Sequence, residues 1–259
     1  MNEQRLSDGT LCTMNLVSAG LPHRTALLLE RERQAFSATI ASLFALGKGE
    51  ITLPPLTSEV LDKALASKEP GRAYTAAFLI GRCRTPDTGV DSALTRRLEE
   101  ILDETPEPDV AIETAMSLAL RGRLEHGRTA LRALLNSLHP LGDQYKAAFY
   151  LAQMGDPSGY GALVKTLHSE IPHYRLMALR HAIAFAPYEG QQINDAEIDV
   201  RKLLVERLVD PDELVRSEVP FYLEELAISD IRTLLQPVEQ RDPSPSVRTA
   251  ARIVLDRNR

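Results

Sequence analysis

Residues 74–83 read YTAAFLIGRC, and residues 145–154 read YKAAFYLAQM. Tyr, the Ala pair and Phe coincide, Ile80 and Leu151 hold one apolar position, and Cys83 stands where Met154 stands. Pro86 and Pro157 follow at the same offset, and each unit closes on a second apolar run, ALTRRLEEIL or ALVKTL. Near the C-terminus, Asp210-Pro211-x-x-x-Val215-Arg216 returns as Asp242-Pro243-x-x-x-Val247-Arg248. Two independent self-matches in one chain define a repeat protein.

Between these anchors the apolar residues recur at helical spacing. The first helices of successive pairs are expected near 57–67, 91–102, 127–138, 159–168, 197–209 and 230–240. The second helices are expected near 71–83, 109–121, 143–154, 173–185, 213–226 and 245–256. Turn chemistry separates them at Glu69-Pro70-Gly71, Thr105-Pro106-Glu107-Pro108, Leu141-Gly142-Asp143, Gly155-Asp156-Pro157, Asp210-Pro211 and Asp242-Pro243. The longer connection Pro187-Tyr188-Glu189-Gly190-Gln191-Gln192 reads as a bulging loop. A period of about 30–40 residues suits stacked helical hairpins. The expected fold is all-α, a right-handed α-α superhelix of about six hairpins over residues 57–259. Residues 1–56 form a separate N-terminal segment. Its stretch HRTALLLERERQAFSATIASLFAL, residues 23–46, is apolar at Leu27, Leu28, Phe36, Ile40, Leu43 and Phe44 and reads as a helical cap.

The stretch AAFYLAQMGDPSGYGALVKTL, residues 147–167, resembles a HEAT-like repeat of the short bacterial type also seen in phycobilisome lyases. The two DPxxxVR segments resemble the Asp and Arg that bond between neighbouring repeats in that family. The resemblance makes Asp210, Arg216, Asp242 and Arg248 structural, with Arg175 a third instance that lacks the Asp. It covers residues 57–259 and implies the fold rather than one function, because such solenoids serve many roles.

Composition agrees with helices. The chain of 259 residues is 44% hydrophobic but only 5% aromatic, and Ala and Leu dominate its apolar share. The net charge is −6, and residues 1–56 are charge-balanced, so residues 57–259 carry the imbalance. Its densest acidic stretch is Glu99, Glu100, Asp103, Glu104, Glu107, Asp109 and Glu113. Such a surface repels phosphate backbones and attracts basic partners. Cys12 and Cys83 form no CxxC pair and no disulfide framework, which suits a reducing compartment. No signal peptide and no transmembrane stretch is legible, so a cytoplasmic address is expected.

In the resembled family the second helix of each pair lines the concave side. Core positions would be Ala147, Leu151 and Met154 in the third pair, and Val215, Val219, Leu223 and Leu226 in the fifth. The opposite faces should be polar. Instead Tyr74, Phe78, Tyr145, Phe149 and Phe221 lie there, with Met116 a further member if the phase of its helix is read one residue over. These apolar side chains, with Glu113, Glu218 and Glu225 as rim charges, are the expected partner-binding set, the alternative being that the N-terminal segment or tight superhelical curvature covers them. First helices also carry a basic residue each, from Lys63 and Arg96 to Arg201 and Arg232, which reads as a solvated ladder.

Catalytic signatures are absent from the sequence. His23, His126, His139, His168, His173 and His181 show no metal-ligand spacing, and no GxSxG or glycine-rich nucleotide turn occurs. The expectation is therefore a non-enzymatic protein-binding repeat protein, a scaffold, adaptor or immunity-type inhibitor, with no cofactor and no metal. Its partner would be another protein of basic character, not a membrane and not nucleic acid in general. The resemblance also implies two alternatives, a bilin-lyase-like subunit and a HEAT-like DNA glycosylase. Glu113, Glu218 and Glu225 speak against the second, which needs a basic concave surface.

Overall fold

A computed structural model describes residues 58–82, 88–136, 141–194 and 196–258. The expected cap of residues 23–46, Cys12 and Cys83 lie outside the described residues. The described chain is all-α, as expected, with twelve α-helices. The first helices of the pairs are α1 (Ser58–Leu65), α3 (Thr88–Glu104), α5 (Leu124–Asn136), α7 (Tyr160–Leu167), α9 (Val200–Arg207) and α11 (Ile231–Arg241). Alternating with them along the chain are α2 (Pro70–Arg82), α4 (Pro108–Leu120), α6 (Leu141–Gln153), α8 (Pro172–Ala182), α10 (Glu213–Glu225) and α12 (Pro245–Arg257). Prolines open α2, α4, α8 and α12, where a missing N–H costs nothing because the first turn has no acceptor for it.

The described residues fall into two compact units. The first runs to Asn136 and includes Gln153–Gly155. In it α4 packs against α2, α3 and α5, and α1 packs on α2 and α3. Backbones approach closely where side chains vanish. A Cβ on Gly81 would lie 2.3 Å from Ser117 Oγ, and one on Gly127 would lie 2.4 Å from the Ala115 carbonyl oxygen. Leu61, Leu65, Ile80, Leu94, Leu98 and Leu118 fill the core around these contacts.

In the second unit α8 packs on α7 and α10, α10 on α9 and α12, and α11 on α12. The connection expected as a loop is more ordered than its composition suggests. A 3-10 turn, Ile183–Tyr188, buries Phe185 completely, and a short antiparallel hairpin follows, β1 (Gln192–Ile193) against β2 (Ala196–Glu197). The Tyr188 hydroxyl donates to the Ala152 carbonyl at 2.7 Å, and the Asp199 N–H donates to the Tyr160 hydroxyl at 3.1 Å. Aromatic side chains thus anchor the segment to the helices on either side. The anchoring residues are isolated rather than periodic, so no apolar period marks the segment.

Candidate partner-binding site

The close approach of α2 and α4 in the first unit decides the fate of the first group of expected site residues. The Ser117 hydroxyl donates to the Ala77 carbonyl at 2.7 Å, and Arg121 Nε donates to the Ile80 carbonyl at 2.9 Å. Arg82 lies with its guanidinium 3.7 Å from the centroid of the Phe78 ring and donates to the Glu113 carboxylate. Glu113 is fully buried and Arg82 nearly so. Glu113 was expected to be a rim charge. It is an interior charge neutralised across a helix interface, so it neither attracts a basic partner nor argues against a glycosylase. Met116 is likewise fully buried and presents no surface. The reason lies in α4, which is buried around its whole circumference from Val110 to Ala119, so no face of it is a groove. Tyr74 keeps 37% of its surface exposed and Phe78 is half-buried. The Tyr74 phenol is held above its usual range, first by burial and then by the Glu113 charge.

The second unit corrects a further pair. Tyr145 and Phe149 are 4% and 8% exposed, not open to a groove. Both rest on the His181 ring of α8, with centroids 5.3 Å and 4.2 Å away, and Phe149 meets it edge-on. Helix α8 therefore occupies the side that the expected groove would need. His181 Nδ1 lies 2.6 Å from the Met177 carbonyl. Burial lowers the His181 pKa to about 4, with Arg180 and Lys146 adding to the effect and the Met177 contact opposing it. On α10, Phe221 and Glu218 are half-buried and Glu225 is exposed. Glu218 pairs with Arg180 at 3.4 Å and accepts from the Tyr222 hydroxyl at 3.3 Å. Of the expected set, Tyr74, Phe78, Phe221, Glu218 and Glu225 thus remain within reach of solvent.

The turns between paired helices repeat one device. At the start of five such turns among the described residues a short polar side chain accepts from the backbone N–H two residues on. Ser67 does so for Glu69, Thr105 for Glu107, Ser169 for Ile171, Asp210 for Asp212 and Asp242 for Ser244. Six residues after this position, Arg175, Arg216 and Arg248 each fold back onto two carbonyls of their own turn. Arg175 donates to Ser169 and Glu170, Arg216 to Asp210 and Pro211, and Arg248 to Asp242 and Pro243. Arg175 also makes a bidentate pair with Asp210, at 2.9 and 2.7 Å, and Arg216 one with Asp242, at 2.8 and 3.1 Å. Arg175 needs no Asp of its own, because its Asp belongs to the following repeat. The pairing runs between repeats and is not visible within the motif of one repeat. Aligning Pro70, Pro108, Pro172 and Pro245, each three residues after the turn side chain, would have revealed Ser67, Thr105 and Ser169.

Large apolar side chains stand exposed beside these turns in the second unit, a feature the helical phases did not suggest. Ile171 is 52% exposed, Leu214 61% and Val209 83%. Glu170 and Glu213 are exposed beside them. The basic ladder is solvated as expected, with Lys63 on Glu59 at 2.8 Å and Arg201 on Asp230 at 2.7 Å. Among the described residues no group of three His, Cys, Asp or Glu side chains could hold a metal ion. None of their helices is long and apolar enough to cross a membrane.

Neither a family model nor a curated protein matches the chain. Two solved structures described as engineered proteins are similar to it. One shares 22% identity over 77% of this chain and 95% of its own length, with a TM-score of 0.46. The other shares 23% over 77% of this chain and 57% of its own, with a TM-score of 0.44.

Proposed function

We propose that the chain is a non-enzymatic helical-repeat protein of HEAT-like type that binds another protein, and that the partner is basic. The observation that carries this reading is the exposure of Ile171, Val209 and Leu214 on consecutive turns that Arg175 ties together. Large exposed apolar side chains gathered beside acidic ones mark an interaction surface rather than a solubilising one. The chemistry-bearing groups inside the helices support it further. Glu113, Asp210 and Asp242 are each committed to an arginine, and His181 to two aromatic rings. Groups spent on joining helices are not poised for acid–base work. Tyr74, Phe78, Phe221, Glu218 and Glu225 extend the accessible set beyond the turns.

The test compares the wild-type chain with a Val209→Ser, Leu214→Ser double variant in cross-linked capture from the source cells, read by quantitative mass spectrometry. Both positions are exposed, so the variant should keep its circular dichroism melt. A protein captured by the wild type and lost with the variant supports the reading. Identical captured sets from the two overturn it.

A further inference from the structure

The three arginine clamps of the second unit have a counterpart in the first unit from which the arginine is missing. Ser67 and Thr105 hold the turn position occupied by Ser169, Asp210 and Asp242, and each makes the same backbone contact. Six residues on, where those turns are followed by Arg175, Arg216 and Arg248, stand Ala73 and Ala111. The segment Thr105-Pro106-Glu107-Pro108-Asp109-Val110-Ala111 repeats Asp242-Pro243-Ser244-Pro245-Ser246-Val247-Arg248 with the arginine truncated to a methyl group.

At Ala73 the truncation leaves a space. A solvent-open cavity of about 310 Å³ is lined by Ser67, Lys68, Ala73, Glu104, Thr105 and Glu107, with apolar walls from neighbouring core residues. It joins the three positions that a clamp arginine spans elsewhere: the arginine's own Cβ, its own turn and the turn of the next repeat. The Ser67 and Lys68 carbonyls correspond to those that receive Arg175, Arg216 and Arg248, and neither accepts a hydrogen bond among the described residues. Thr105 stands where Asp210 receives Arg175. The negative charge that Asp210 supplies there is offered here by Glu104 and Glu107, with Lys68 the opposing charge at the rim. Planar guanidinium groups match such a fork of carbonyl and carboxylate acceptors far better than ammonium groups do.

We infer that this cavity is a binding site for the guanidinium group of an arginine side chain of the partner protein, inserted where the chain's own repeats place an arginine in cis. The inference rests on the protein-binding reading above and names the chemistry of one contact in it.

The probe is N-acetyl-arginine amide, titrated into the full isotope-labelled chain and followed by amide chemical shifts. Saturable shifts confined to the backbone around residues 67–73 and 104–110 are expected, with N-acetyl-lysine amide producing none. Ala73→Arg should fill the cavity from within, raise the melting temperature and abolish the shifts. Should that variant fail to fold, Ala73→Leu plugs the same space without charge and must also abolish them. Absence of saturable shifts, equal shifts from the lysine probe, or shifts that persist when Ala73 is enlarged overturn the inference. The small probe reads the cavity without any partner. Its failure is therefore distinct from failure of the capture experiment on Val209 and Leu214.

Discussion

Arg175 and Asp210, 35 residues apart in sequence, form a bidentate ion pair at 2.9 and 2.7 Å that is 7% exposed on one side and fully buried on the other. Burial alone would raise the Asp210 pKa, but Arg175, the Asp212 N–H and Arg207 outweigh it and hold the carboxyl below its usual range. Asp210→Ala removes the anion and leaves the guanidinium buried, at a cost of about 3–5 kcal/mol. Asp210→Asn preserves the Asp212 turn contact and should cost less. Urea midpoints of the two variants measure the difference.

The Arg82–Glu113 pair makes an analogous prediction with a different remedy. Glu113→Ala should destabilise the first unit by about 3–5 kcal/mol, because Arg82 loses its anion inside a helix interface. Replacing both, Arg82→Met with Glu113→Leu, should recover most of that loss, since apolar side chains of similar size need no counter-charge. Thermal melts of the single and double variants decide it. A double variant no better than the single one would show that the pair's hydrogen bonds, not its charges, hold the helices.

Phe149 belongs to the packing of α6 on α8. Phe149→Ala should cost about 3–5 kcal/mol, as for other buried aromatic deletions, and the circular dichroism melt should collapse accordingly. An unchanged melt would return Phe149 to the surface that its helical phase suggested.

His181 makes the second unit sensitive to acid. Its folded pKa is lowered to about 4 from the usual value near 6.5. The unfolded chain therefore binds the proton first, and stability present above about pH 6.5 drains away as the pH falls toward 4. Between about pH 7 and pH 5 the loss should reach at most about 2 kcal/mol. His181→Gln should flatten that slope. The lowered carboxyls of Asp210 and Asp242 add their own loss at lower pH, beginning as the pH falls through the ordinary carboxylate range at about 4, where the unfolded chain takes up protons, and continuing to their lower folded values. Denaturation at several pH values separates the two.

Helix positions were legible because their signals are local. Apolar spacing placed α2 and α10 to within a residue or two, and the Pro-containing turns marked where they begin. The Asp–Arg contacts were legible in kind, through Asp210, Arg216, Asp242 and Arg248, although not in their partners. The candidate site was less legible. Helical phase put Tyr145 and Phe149 opposite the core stripe, and they are indeed opposite it, but His181 packs against that side as well. Met116 and Glu113 failed for the same reason on a helix enclosed all round. Phase tells which residues share a face and says nothing about how many faces have neighbours.

The repeats in YTAAFLIGRC and YKAAFYLAQM determined by themselves that this chain is a series of helical hairpins, because hydrophobic period and turn chemistry are properties of adjacent residues. Tertiary structure alone decided which charges are interior and which aromatics are covered. Each of those depends on a partner tens of residues away, and the same Glu or Phe is a surface or a core residue according to what that partner leaves open.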